Sequence, residues 1–322
     1  MSPIGRHVSK LSGYAPALPT PLNDDDNVDV DAFAELCDLQ ITHGATALVV
    51  GGTTGEAPTL TDAEHGKLVR IALAIARHRV PVIAGAGANA TAHAIALTKD
   101  AEANGADAVL SVVPYYNKPT QEGIFAHYRA IAAATGLPVI LYDVPSRTAR
   151  GLADETVLRL AEVPRIIGLK DAAGDITRPG RLRARLGAEF RLLSGDDASA
   201  PAYFAQGGDG CISVTSNLAP GLCRDMFLAL RQGQLARVRR LADPLAQLSA
   251  ALFCESNPVP LKYALSRLGL MSARVRLPLV ELSAQGQIEI DGLLARLCDE
   301  HTDAMIGTPS APQSAVRRVM AG

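Results

Sequence analysis

A lysine that closes an apolar run is the most informative residue of this chain. Lys170 follows Ile166-Ile167-Gly168-Leu169, and only six lysines occur in 322 residues. An amine held at the mouth of a packed barrel is partly desolvated, which disfavours the ammonium and leaves a nucleophile for a carbonyl carbon. The plain alternative is a structural lysine ion-paired with Asp171 or Asp175. Tyr142 closes a second apolar run and offers a phenol for proton transfer, with Thr53 and Tyr116 as hydroxyl partners. Taken singly, each of these reads first as a packing tyrosine or a turn threonine, and only their convergence at one barrel face favours chemistry. In Gly51-Gly52-Thr53-Thr54-Gly55-Glu56, small residues let backbone amides approach a small carboxylate, unless the stretch is an ordinary strand-to-helix turn. Arg147, after Pro145-Ser146, carries a planar fork suited to a second carboxylate or, more plainly, to a surface salt bridge.

Such residues act together only if a scaffold gathers them. Short apolar or β-branched runs alternate with longer segments of helical period, the pattern of repeated βα units and so of an α/β fold. The runs are Tyr14 to Leu18, Ala45 to Val50, Pro81 to Gly85, Ala108 to Val113, Pro138 to Tyr142, Ile166 to Lys170, Arg191 to Ser194 and Gly210 to Val214. Eight is the number that closes a (β/α)8 (TIM) barrel, whose chemistry sits where the strands end. Helices are expected over Asp62 to Arg77, Thr91 to Asn104, Gln121 to Thr135 and Asp154 to Glu162, with Thr or Asp caps. Gly44, Gly105 and Gly136 stand where left-handed residues should end helices. Four more, Pro220 to Gln232, Leu235 to Phe253, Pro260 to Leu268 and Asp291 to Cys298, have no strand between the later ones and read as a C-terminal helical extension. The division is therefore 1–218 for the catalytic barrel and 219–300 for the helical part, with 301–322 read as a mobile tail.

Composition narrows the partners. Apolar residues make up 48% and charged residues 20%, with a net charge of −2 and no basic stripe, so nucleic acid is not an expected partner. The five cysteines form no CxxC pair, as in a reducing, cytoplasmic setting. Met1 to Gly13 lacks a continuous apolar segment and no run is long enough for a membrane span. The seven histidines are scattered without HxH or HExxH, so no metal is expected. Neither the Thr53 loop nor Gly85-Ala86-Gly87-Ala88-Asn89-Ala90 is a nucleotide fingerprint, the first lacking a following lysine and the second its third glycine.

From about Ser12 to about Asp299 the chain resembles the 4-hydroxy-tetrahydrodipicolinate synthase (dihydrodipicolinate synthase) family of the N-acetylneuraminate lyase superfamily. The likeness rests on Gly52-Thr53-Thr54-Gly55-Glu56, Pro114-Tyr115-Tyr116-Asn117-Lys118-Pro119, Tyr142-Asp143-Val144-Pro145-Ser146-Arg147-Thr148, Gly168-Leu169-Lys170-Asp171, Leu193-Ser194-Gly195-Asp196-Asp197 and Asn257-Pro258-Val259-Pro260. It implies a lyase that condenses pyruvate with L-aspartate 4-semialdehyde, with Lys170 forming the imine and no external cofactor. Tyr142, Thr53 and Tyr116 would form a proton relay, Tyr116 arriving from a neighbouring subunit of a homotetramer built as a dimer of dimers. Thr54 and the backbone at Ile212 would hold the pyruvate carboxylate, Arg147 the semialdehyde carboxylate, and Gly195 a backbone contact. The product would feed lysine and diaminopimelate biosynthesis.

Departures from the family pattern fall in its lysine-effector site. Tyr115, His65 and Asn89 match, whereas Ala57, Pro58, Asp62 and His93 stand where lysine-sensitive members carry Ser, Ala, His and Glu. Loss of the Glu carboxylate implies little inhibition by L-lysine. Pyruvate-releasing sugar-acid lyases and 2-oxo acid aldolases or dehydratases share the barrel and its lysine, and Arg147 with Thr53-Thr54 is what favours the semialdehyde here. A catalytically silent barrel that binds a carboxylate is the third reading, opposed by the presence of both an imine former and a relay.

Overall fold

The computed structural model describes residues 11–301 and 304–306. The expected runs all become strands: β1 (Gly13–Pro16), β2 (Leu48–Val50), β3 (Val82–Gly85), β4 (Ala108–Val112), β5 (Val139–Asp143), β6 (Ile166–Asp171), β7 (Arg191–Ser194) and β8 (Gly210–Ser213). They pair in parallel in the order β1-β8-β7-β6-β5-β4-β3-β2. A parallel bridge between Ala17 and Val49 joins the first and last of these, with the Leu18 amide donating to the Val49 carbonyl at 2.9 Å, and the sheet becomes a barrel.

Alternation along the strands makes two cores. Ala15, Ala17, Val49, Ile83, Leu110, Ile140, Tyr142, Leu193 and Ile212 fill the barrel interior. The residues between them, including Leu48, Val50, Val82, Val109, Leu141 and Leu169, pack outward on the helices. Both faces are buried, which is why the strands appear in the sequence as continuous apolar runs.

The helices are α1 (Val30–Thr42), α2 (Asp62–Ala76), α3 (Thr91–Ala103), α4 (Gln121–Ala133), α5 (Pro145–Thr148), α6 (Asp154–Ala161), α7 (Arg178–Arg183), α8 (Ala200–Ala205), α9 (Pro220–Arg231), α10 (Leu235–Leu252), α11 (Val259–Arg267) and α12 (Ala284–His301). Thr61 caps α2 in a reciprocal box with Glu64, and Thr120 caps α4. Gly44 and Gly105 adopt positive φ, as expected of helix ends. Gly136 does not; its amide donates to Glu102 Oε1 at 2.9 Å, and a Cβ there would lie 2.8 Å from that oxygen, so a larger residue would have to push the Glu102 side chain aside. The last helix starts seven residues before Asp291, because Ser283 caps it through the Gly286 amide at 3.2 Å. The tail expected from 301 is also corrected: Met305 and Ile306 are buried, and the Ile306 amide donates to Leu218 O at 2.8 Å. Residues 1–10 and 307–322, including most of the expected tail and of the Met1 to Gly13 stretch, lie outside the described residues. No helix among the described residues is long and apolar enough to cross a membrane.

Candidate active site

Lys170 and Tyr142 are register partners on β6 and β5, and Lys170 also pairs with Leu193 on β7. Tyr142 belongs to the interior core, so alternation turns Lys170 inward at the same level. The amine lies 4.3 Å from the centre of the Tyr142 ring, and the two residues are 6% and 7% exposed. The carboxylates that the plain alternative assigned to Lys170 are engaged elsewhere: Asp171 pairs with Arg178 at 3.1 Å and Asp175 with Arg181 at 2.9 Å. Among the described residues Lys170 has no ion pair.

The pair borders a cavity of about 520 Å³, whose lining includes Thr53, Tyr142, Val144, Arg147 and Lys170. Asp62, His65, His93 and Tyr115 line the same cavity. The Thr53 loop is a tight turn in which the Gly55 and Ala57 amides donate to Gly52 O and the Glu56 amide to Thr53 O. It seats against the His65 ring so closely that a Cβ on Gly51, at φ +62, would lie 2.3 Å from the ring carbon. Burial lowers the pKa of His65.

Three expected contact residues stand just behind the wall. Thr54 is buried and its hydroxyl accepts from Asn257 Nδ2 at 3.1 Å, while Arg147 donates to the Asn257 carbonyl at 3.4 Å. Gly195 abuts Lys170: a Cβ on it would stand 3.0 Å from the lysine Cε. Ile212 is buried in β8 opposite Ala15. The end of β8 is fixed by the buried Asp197 carboxylate, which accepts from the Ser213 hydroxyl and from the Val214 and Thr215 amides at 2.8 and 3.0 Å. Burial raises the pKa of Asp197, and these hydrogen bonds oppose the rise.

Tyr116 is not gathered. It is 89% exposed, does not line the cavity of its own chain, and holds a positive φ of 72°. Its loop is pinned by Asn117, whose Nδ2 donates to Asn89 O at 2.8 Å; Asn89 itself lies off the cavity wall, unlike His65, His93 and Tyr115. A complete Thr53, Tyr142 and Tyr116 relay is therefore not assembled within one chain.

Sequence reasoning assigned no role to a buried ion pair at the cavity edge. Lys262 of α11 contacts Glu56 at 2.6 Å, and Glu56 Oε2 also accepts from the Arg276 amide at 3.0 Å. Burial lowers the pKa of Lys262, with Glu56 opposing. The available signal was one of few lysines, set in an apolar helix. Among the described residues no group of three or more His, Cys, Asp or Glu side chains stands close enough to hold a metal ion.

Comparison with known proteins agrees with this geometry. Residues 10–297 match the dihydrodipicolinate synthetase family. A protein of Thiobacillus denitrificans named 4-hydroxy-tetrahydrodipicolinate synthase is 52% identical over 283 residues, covering 88% of this chain and 95% of its own. The structure of 4-hydroxy-tetrahydrodipicolinate synthase from Methylacidiphilum fumariolicum superposes with a TM-score of 0.89 at 40% identity, covering 92% of this chain and 98% of that one. The chloride-inhibited dihydrodipicolinate synthase of Acinetobacter baumannii, complexed with pyruvate, gives a TM-score of 0.86 at 43% identity over 88% and 98% of the two chains.

Proposed function

Because the chain belongs to the dihydrodipicolinate synthetase family, we propose that it is a lyase condensing pyruvate with L-aspartate 4-semialdehyde to 4-hydroxy-tetrahydrodipicolinate, through a Schiff base on Lys170. The observation that carries the reading is a buried amine, free of carboxylate partners among the described residues, 4.3 Å from the Tyr142 ring on the wall of a cavity of about 520 Å³.

The lysine nitrogen adds to the keto carbon of pyruvate, and the carbinolamine loses water to give a protonated imine. That imine is an electron sink, so a methyl proton leaves and the resulting enamine carbon attacks the semialdehyde, whose oxygen takes up a proton. The substrate amino group then adds to the former keto carbon and displaces Lys170, closing the ring. Tyr142 and Thr53 carry protons at the carbinolamine. Thr54 and the Ile212 backbone hold the pyruvate carboxylate, Gly195 adds a backbone contact, and Arg147 receives the semialdehyde carboxylate.

The exposure of Tyr116 on a pinned loop supports its entering a neighbouring subunit's cavity, and with it a homotetramer arranged as a dimer of dimers. We place the barrel in residues 1–218, the helical extension in 219–300, and the enzyme in the cytoplasm. Turnover with pyruvate and the semialdehyde, coupled to the next reductase and set beside a panel of 2-oxo sugar acids, tests the reading. Turnover of the semialdehyde that vanishes in Lys170→Ala is expected. Activity on a sugar acid alone would move the function to a pyruvate-releasing lyase.

A further inference from the structure

The same two strands that carry the reacting pair carry a second pair on their outer face. Strand alternation turns Asp143 and Asp171 away from the barrel interior, one residue beyond Tyr142 and Lys170, and they too are register partners. Arg178, 3% exposed, meets both through Nη1, at 2.8 Å to Asp143 Oδ2 and 3.1 Å to Asp171 Oδ1. Its other nitrogens reach Asp154 Oδ1 at 3.0 Å and the Leu152 carbonyl at 2.6 Å. The Leu152 and Ala173 amides donate to Asp143 and Asp171 at 3.1 and 3.0 Å. One guanidinium therefore joins β5, β6, the chain after α5 and the start of α6. Asp143 Oδ1 and Asp171 Oδ2 are buried without a hydrogen-bond partner, so both carboxylates depend on Arg178 for their charge balance.

We propose that Arg178 is a positioning residue for the reaction: by clamping the outer Asp143 and Asp171 pair it fixes the level of the inner Tyr142 and Lys170 pair. A point charge cannot replace it, because four acceptors in three directions match a planar fork and not an ammonium. Misplacement of the phenol relative to the imine carbon slows proton transfer more than it weakens pyruvate binding, since Thr54 stands in the turn after β2 and Ile212 on β8, away from β5 and β6.

The proposal rests on the Schiff-base reading, and its test separates the two. Borohydride trapping of the pyruvyl adduct, located on Lys170 by mass spectrometry, counts competent sites, and turnover is expressed per trapped site. For Arg178→Lys we expect adduct formation, a pyruvate KM within about threefold of wild type, and turnover per trapped site lowered ~10–100-fold. Should Arg178→Lys fail to fold, Asp171→Asn, which leaves the guanidinium its Asp143 and Asp154 partners and removes its ionic tie to β6, is expected to lower the same quantity ~3–10-fold. Turnover per trapped site within twofold of wild type in the folded variant overturns the proposal, as does activity lost only in proportion to folded protein. No adduct in the wild type would instead remove the Schiff-base reading, and the positioning role with it.

Discussion

Replacing Lys262 by methionine keeps an unbranched side chain one atom shorter and removes the charge that forms the ion pair with Glu56. The pair is buried, with side chains 0% and 3% exposed and nitrogen and oxygen 2.6 Å apart. The Glu56 carboxylate would keep the Arg276 amide at 3.0 Å and the longer-range attraction of the Arg276 guanidinium. Breaking a buried pair from one side costs ~3–5 kcal/mol, because the surviving charge is stranded. Glu56 also borders the cavity, so some water reaches it, and we expect the lower end, ~3 kcal/mol. Adding Glu56→Gln removes the stranded charge, and the double variant should lie within ~1 kcal/mol of wild type. Urea unfolding at matched protein concentration measures the cycle. A loss below about 1 kcal/mol in Lys262→Met, or a double variant no more stable than the single, would refute the reasoning. Glu56 follows Thr53 and Thr54 by two to three residues, so the single variant should also raise the pyruvate KM.

Other expectations concern chemistry and pH. Tyr142→Phe keeps the ring under the amine and deletes the hydroxyl, so the borohydride adduct should persist while turnover falls ~10²–10⁴-fold; equal turnover would take Tyr142 out of the relay. Gly85→Ala sets a Cβ 2.1 Å from the Gly51 carbonyl oxygen, which must displace the Thr53 turn; an unchanged pyruvate KM would argue that the turn holds no substrate. Burial lowers His127 to about 4, so the folded state binds fewer protons than the unfolded state between there and 6.5. The neutral ring contributes fully above pH 6.5, and on the order of 3 kcal/mol is lost as pH falls to about 4. His127→Gln should flatten unfolding free energy across that window, and an unchanged slope would reject the assignment. L-lysine should inhibit weakly, since His93 lines the cavity where lysine-sensitive members carry Glu; half-inhibition below millimolar concentration in the coupled assay would contradict this.

Strands were legible because parallel strands buried on both faces become unbroken apolar runs, and Lys170 was legible as the break in one of them. Even there the interior and exterior positions could be sorted only once the register was known. Arg178 and Lys262 escaped because most of their partners are distant in sequence: Lys262 meets Glu56 across 206 positions and Arg178 meets Asp143 across 35. The start of α12 escaped because Ser283 caps a polar, glycine-bearing first turn, while Asp291 offers a better-looking cap further on. Tyr116 marks a different limit. Its type suggested a relay, but one chain's geometry leaves it in solvent, so its role depends on an assembly the sequence pattern alone implies.

The strand order also bears on how the protein is made. Gly13 pairs with Gly210, so the first strand has no neighbour on that side until nearly two hundred further residues have been synthesised. At ~5–20 residues per second a ribosome exposes that apolar edge for roughly 10–40 s. Chains arrested before residue 210 should therefore be captured by holdase chaperones or cut by protease near β1, and chains arrested well beyond β8 should be protected. The last-made strand of the barrel, rather than any catalytic loop, sets when the nascent chain becomes safe from its own kind.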